Sequence, residues 1–529
     1  MNIIYKKISE LLLKTRTNID FHKLTLILLM ISFVTLILFL NMYMDATCNS
    51  DDAGELILGK LLAEQRSFLS KDWFYSTELR VLNNQIIYAL IFRLTNNFHY
   101  VRLISNIVLY CILLGSLYLF CHEAKLKKYF CYLALALILP YSIENYHILL
   151  RGAYYIPHIT ISLIIMYCMF GIYNENTGIK SIYLWISVII AILGGLGGLR
   201  QVLILTLPLC LAIWTYLILN PRISQKLVLL YFSIAHLFAS FVGMIINKQY
   251  LSKIYKFHQY DDLQFTKFSL VHFSDNMLNG ILQVLGYNAS GKIFSSILIN
   301  NICAISIGML IVVSIRVALK KIKQLDFSRF YFTYFNLYWI ILFSGLISFT
   351  NMDFASRYFI PVVYFTFVLF VFLYKNSDNG KRTLTILLLV IIASTFVNYK
   401  RLRHVDINNS NRAVVNTILE HGCLNGYASF WQANILTELS NGKIEVWALD
   451  YKNKPFDHTT LVRWLQNKKH DKENPKGKMF LYLKREEIPQ FRHRKNLKNE
   501  KIIYQNKDVV LYMFDDYNEF SKVMMKKGA

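Results

Sequence analysis

The stretch KLTLILLMISFVTLILFL (23–40) carries a single charge, at its first residue. As a helix it is long enough to cross ~30 Å of hydrocarbon. Comparable runs recur along the first 400 residues of the 529-residue chain, which is 55% hydrophobic and only 17% charged. Continuous runs, not short alternating strands, exclude a β-barrel, and open sheets cannot span lipid. The expected class is therefore an α-helical polytopic membrane protein. Eleven membrane helices are expected near 24–44, 101–121, 129–143, 155–173, 181–197, 201–219, 227–246, 294–315, 330–349, 358–374 and 383–398. The first run is too long for a signal-peptide core and reads as a retained anchor. QIIYALIFRL (85–94) is too short to span and reads as interfacial or re-entrant.

The net charge of +24 matches the bias of Lys and Arg toward cytoplasmic loops. KLKK (125–128), NPRISQK (220–226), RVALKKIK (316–323) and KNSDNGKR (375–382) fall on the side of the N-terminus and its Lys6, Lys7, Lys14 and Arg16. That side is expected to be cytoplasmic, at the plasma membrane. The other side receives 45–100, 144–154, 247–293 and 350–357. With eleven spans it also receives 399–529, a polar segment with 24 Lys plus Arg against 15 Asp plus Glu. Strand-like GKIEVWAL, KMFLYL and DVVLYMF follow a helix-like NRAVVNTILEHG there, so a small extracytoplasmic α/β domain is expected beyond a 1–398 membrane domain. No nucleic-acid motif and no metal-ligand spacing of Cys and His is present, so neither nucleic acid nor zinc is an expected partner. Cys48 and Cys423 lie on the same expected side and are open to pairing.

The first outer loop carries the chemistry. In CNSDDAGELILGKLLAEQ (48–65), Asn49 or Ser50 caps a helix. Ile57, Leu58, Leu61 and Leu62 form its apolar stripe, which reads as a helix lying on the membrane surface. Asp51, Asp52 and Glu55 stand at its start. They read two ways, as acids that cap a helix and favour its dipole, or as working carboxylates at the lipid–water boundary.

The order of a first membrane helix, an outer acid pair and a surface helix resembles GT-C glycosyltransferases. These include the protein mannosyltransferases and lipid A aminoarabinose transferases, which have Asp-Glu where this chain has Asp51-Asp52. LLAEQRSFLSKDWFYSTELRVLNNQIIYA (61–89) also resembles a Gram-positive family of membrane proteins without an established substrate. The resemblance implies sugar transfer from a polyprenyl-phosphate donor to an extracytoplasmic glycan, teichoic-type polymer, lipid or protein, with inversion. Asp51 would be the acceptor-activating base and Asp52 its partner. Glu144 of ENYHILLRGAYYIPH (144–158) would be the second-loop acid. Arg151, Arg200 of GGLGGLRQ (194–201) and Arg357 of NMDFASRYFIP (351–361) would meet the donor phosphate. Glu55, Tyr154, Tyr155, His158 and Tyr358 would line the site, with Asp353 able to pair with Arg357. Whether Asp52 or Glu144 also holds a divalent cation, Mg or Mn, is left open.

Each residue also has a plainer reading. Arg151 can snorkel to headgroups, and Tyr and His suit the interfacial belt. The glycines of 194–198 can serve close helix approach or a tight turn. HQYDDL (258–263) and HFSDN (272–276) suit either sugar contact or a solvated loop. Trp431, Asn434 and Ser440 of YASFWQANILTELSNGKIEVW (427–447) suit sugar recognition or a domain core. A transporter or flippase is the competing class, followed by a polysaccharide polymerase or ligase. Neither calls for a first-loop acid pair beside a separate outer domain.

Overall fold

The computed structural model describes residues 21–79, 81–175, 181–257, 264–267, 273, 276, 280–288, 296–320, 325–351, 355–451 and 455–525. HQYDDL, most of HFSDN, and Asp353 lie outside them. Among the described residues nine helices are long and apolar enough to cross a membrane, the architecture of a multi-pass membrane protein. They include α1 (Phe21–Thr47), and the last of them runs to Leu402.

Two of the eleven expected spans take another form. The third run forms Phe130–Ile138, breaks at Pro140, and resumes over Ile143–Arg151 after a bend of 91°. Proline removes a backbone donor and disfavours helix at the residue before it. The carbonyls freed at the bend are taken up by Asn398 Nδ2, 2.9 Å from the Pro140 oxygen, and Ser394 Oγ, 2.7 Å from that of Tyr141. The fifth run is a helix of only 14 residues, Ile182–Gly195. Its Gly195 lies against Gly243 of Lys226–Ile246, where a Cβ on either would meet a backbone oxygen at 2.2 Å. The close approach is therefore to the helix after next. The tight turn that follows uses Gly198 at φ 92°.

Helix α2 (Ser50–Gln65) departs from the expected surface helix. Leu56 packs with Tyr88, Phe92, Phe98 and Val101. Leu58 and Leu62 pack with Ala433 and Leu436 of the C-terminal segment. The helix thus has two apolar faces and is held between layers. Two glycines allow this. A Cβ on Gly59 would sit 2.5 Å from the Tyr88 Cβ, and one on Gly54 2.9 Å from the Leu465 Cβ. QIIYALIFRL contributes α3 (Asn84–Phe92), the short helix that carries Tyr88.

The C-terminal segment forms a five-stranded mixed sheet in the order β3-β2-β5-β7-β6. The strands are β2 (Asn425–Ser429), β3 (Glu445–Leu449), β5 (Met479–Lys484), β6 (Ile502–Gln505) and β7 (Val509–Phe514). β2 runs parallel to β3 and β5, and β7 antiparallel to β5 and β6. Side chains alternate between two cores. Phe480 and Tyr482 face one, and Met479, Leu481 and Leu483 the other. A further pair, β1 (Trp73–Phe74) and β4 (Gln466–Asn467), ties the first loop to this segment.

Docking centres on Phe430–Leu439, the helix after β2. Its Glu438 receives Arg102 of Phe98–Glu123 at 2.7 Å, and both side chains are buried. Arg102 also donates to the Asp52 carbonyl at 3.1 Å. Asn434 donates to the Ser50 and Leu465 carbonyls at 3.3 and 3.2 Å and accepts from Gln466 at 2.7 Å. Ser50 Oγ donates to the Phe430 carbonyl. At the opposite end of the bundle, the Tyr129 hydroxyl donates to the Lys375 carbonyl at 2.9 Å, joining two of the basic loops. Glu438→Ala should cost about 3–5 kcal/mol by stranding a buried guanidinium. Thermal unfolding of the purified protein should show this loss, and Arg102→Met combined with Glu438→Leu should recover most of it.

Candidate functional site

The first turn of α2 separates the two aspartates. Asn49 is the cap: its side chain accepts from the Asp52 amide at 3.0 Å, and Asp52 Oδ2 accepts from the Asn49 amide at 3.0 Å. Asp52 is buried and also ion-paired with Arg151. The bent segment after Pro140 delivers that guanidinium, ending in a π-helical turn over Tyr146–Arg151. Asn106 Nδ2 holds the Arg151 carbonyl at 2.9 Å, and Asn84 Nδ2 the Gly152 carbonyl at 3.2 Å. Asp52 and Arg151 therefore neutralise each other. Arg151, expected to meet a donor phosphate, stands buried in an ion pair with Asp52. Asp52 is not among the residues lining the cavity beside it.

Asp51 points the other way. It lines a cavity of about 120 Å³ with Asn49, Glu55, Ser76, Thr77, Ile148, Tyr154, Tyr155, Arg200, Arg357, Trp464 and Leu465. Five residues singled out by sequence, Asp51, Glu55, Tyr154, Arg200 and Arg357, thus share one wall system from four separate parts of the chain. Burial pushes the Asp51 carboxyl up to about 6, and Asp52 and Glu55 add to the rise. The Arg357 charge and a hydrogen bond from Trp464 oppose it. Arg200 is partnered by Glu78, Nε to Oε2 at 3.3 Å. Arg357 lies 5.9 Å from the Tyr358 ring centre.

Other expected residues stand elsewhere. His158 is buried against Gln201, Nδ1 to Oε1 at 2.9 Å, a polar link between helices. Glu144 sits in the short turn Ile143–Asn145 and is not among the residues lining that cavity. Tyr358 packs near Phe343, behind the wall. Asn434 is spent on docking. Ser440 closes a turn, donating to the Thr437 carbonyl and accepting from the Ile444 amide, both at 3.0 Å. Cys48 and Cys423 are free thiols.

Sequence reading missed Glu78, Trp464 and Leu465, whereas Tyr155, expected beside Tyr154, lines the cavity. An acid in YSTELR and a tryptophan in a polar stretch, TTLVRWLQNK, were the available signals, and neither has a spacing that names a role. The cavity does not fit a divalent cation, since its two carboxylates share the space with two guanidiniums. Among the described residues the one cluster with metal-like spacing is Asp45, Cys48 and Glu438. Glu438 there is engaged by Arg102, and Asp45 by His99 at 2.8 Å. The charge of a Mg or Mn ion finds no dedicated oxygen set in either place.

No family model matches the chain, and no curated protein matches it. The resemblance to GT-C enzymes therefore rests on the order of elements and the acid pair.

The raised Asp51 carboxyl has a stability consequence. Its folded value of about 6 exceeds the ordinary aspartate value of 3.8. The stability tied to this group is thus full below pH ~4 and lost as pH rises through ~6. Asp51→Asn should unfold at a higher temperature than the parent at pH 7.5. The difference should vanish near pH 4, read by thermal unfolding across the range.

Proposed function

We propose that this protein is a membrane glycosyltransferase of GT-C type. It moves a sugar from a polyprenyl-phosphate donor onto a hydroxyl of an extracytoplasmic acceptor. The observation that carries the reading is Asp51, with its raised carboxyl, in one cavity with Arg200 and Arg357. A base and two planar cations in a shared pocket suit the transfer of a group away from phosphate.

In the proposed reaction Asp51 takes the proton of the acceptor hydroxyl. The acceptor oxygen attacks the anomeric carbon as the bond from that carbon to the phosphate oxygen breaks. The electron pair leaves with the polyprenyl phosphate, whose growing charge Arg200 and Arg357 balance. One displacement inverts the anomeric centre. The proton on Asp51 then passes to solvent. Glu55 and Tyr154 shape the pocket around the sugar. Trp464 aims the base through its indole N–H. At about 120 Å³ the cavity suits the phosphate and reacting carbon, with the tail among the membrane helices.

The test is transfer from a synthetic polyprenyl-phosphate sugar. Asp51→Asn should lose at least ~100-fold in rate. Unchanged transfer by a folded Asp51→Asn protein would sink the proposal. The acid limb of the rate should lie near pH 6. Arg357→Gln should move that limb to higher pH as well as slow transfer, since the charge that lowers the Asp51 carboxyl is gone. The proposed orientation sets the C-terminal sheet outside the cell. Lys476→Cys, at an exposed position of that segment, should react with an impermeant maleimide in intact cells. Labelling only after lysis would reverse the topology.

A further inference from the structure

A second, larger cavity of about 730 Å³ is also lined by Asp51. Its volume is in the range of small-molecule sites, ~300–1,000 Å³. Phe430 and Trp431 stand in it directly after β2, and Asp450 and Tyr451 directly after β3. These are the carboxyl ends of two parallel strands, where α/β sheets bind ligands in the crevice beyond the strands. Thr459, Thr460, Arg463 and Trp464 form the facing wall. Asp51 and Trp464 belong to both cavities, so the two meet at the carboxylate proposed as the base.

We infer that this cleft is an acceptor site for an uncharged, hydroxyl-rich saccharide. The inference rests on the glycosyltransferase reading above and names its acceptor class. Three observations carry it. The first is aromatic: Trp431 is 44% exposed, and its indole N–H is fixed to the Tyr451 hydroxyl at 2.9 Å. A held, open ring offers a flat apolar face to the C–H face of a pyranose at little entropic cost. The second is polar: Asp450, Thr459 and Thr460 place oxygens where sugar hydroxyls would hydrogen-bond. Their backbone is rigid, with the Asp450 amide on the Thr460 carbonyl and the Val462 amide on the Ala448 carbonyl, both at 2.9 Å. The third is charge. Among the described lining residues Asp51, Asp450 and Asp471 face a single cation, Arg463, which is paired with Asp471 at 2.9 Å.

That balance is opposite to the segment as a whole, where basic residues outnumber acidic ones. A phosphate-bearing polymer would be drawn to the basic exterior and repelled at the cleft itself. A neutral saccharide meets no such barrier, and its hydroxyls suit the carboxylates. Bound in the cleft, a saccharide would present a terminal hydroxyl to Asp51, the carboxylate that also lines the cavity of Arg200 and Arg357.

The test uses the full-length protein in nanodiscs. Probes are neutral gluco-, galacto- and mannotetraoses, and a tetramer of glycerol phosphate, each titrated by calorimetry. At least one neutral tetraose is expected to bind, more tightly than the glycerol-phosphate tetramer. Trp431→Ala and Asp450→Asn should each weaken it at least ~10-fold, with unfolding temperature unchanged. Asp51→Asn should bind it and fail to glycosylate it. Tighter binding of the glycerol-phosphate tetramer, no binding by any neutral tetraose, or indifference to both cleft variants would overturn the acceptor assignment. Donor consumption that still depends on Asp51 and Arg357 would then leave the glycosyltransferase reading standing. Saccharide binding sensitive to Trp431, with transfer unchanged in Asp51→Asn, would overturn the catalytic reading and leave the cleft.

Discussion

The structure depends on how the first turn of α2 is held. Asp52 caps the helix through Asn49 and neutralises the buried Arg151, and Arg102 takes its carbonyl. A buried charge without a partner would be costly, so this arrangement holds as a unit. Because Asp52 is committed inward, adjacent Asp51 faces the cavity, about 100° around the helix. Two neighbouring carboxylates thereby have different environments. One is a paired ion in the interior. The other is raised by burial and by its neighbour, and is poised to accept a proton near pH 6.

The same turn is where the membrane bundle and the C-terminal sheet meet. Ser50, Asp52 and Gly54 contact Phe430, Arg102 with Glu438, and Leu465 in succession. Leu465 adopts φ 49°, an uncommon conformation for a leucine, and sits where Gly54 has no side chain. The sheet is therefore part of the site: Trp464 and Leu465 line the inner cavity, and Trp464 joins it to the outer cleft. A bundle without this segment would lack one wall around Asp51.

Much of this plan is legible in the order of residues. Hydrophobic runs place the helices within a few residues, because lipid demands length and apolarity that no loop supplies. The unbroken apolar runs in KMFLYL and DVVLYMF announce strands buried on both faces. Asp51, Glu55, Tyr154, Arg200 and Arg357 are conspicuous as polar groups beside membrane helices, where each needs a reason. Arg151 and His158 are equally conspicuous and stand buried, one against Asp52 and the other against Gln201. Nothing local separates the two groups, since a guanidinium pairs with carboxylate and phosphate alike.

What the sequence by itself determined is the class of protein, with its apolar helices and its small C-terminal sheet. Composition and periodicity carry that information, because each is a property of one segment in its solvent. Only the tertiary structure decided which aspartate lines the cavity, that Arg151 pairs with Asp52 and Arg200 with Glu78, and that a span bent at Pro140 carries Arg151 onto Asp52. It also decided that Trp431, Asp450 and Trp464 form one cleft ending at Asp51. Those outcomes rest on pairings between residues up to several hundred positions apart. A charge's environment follows from what packs around it, and no single segment contains that.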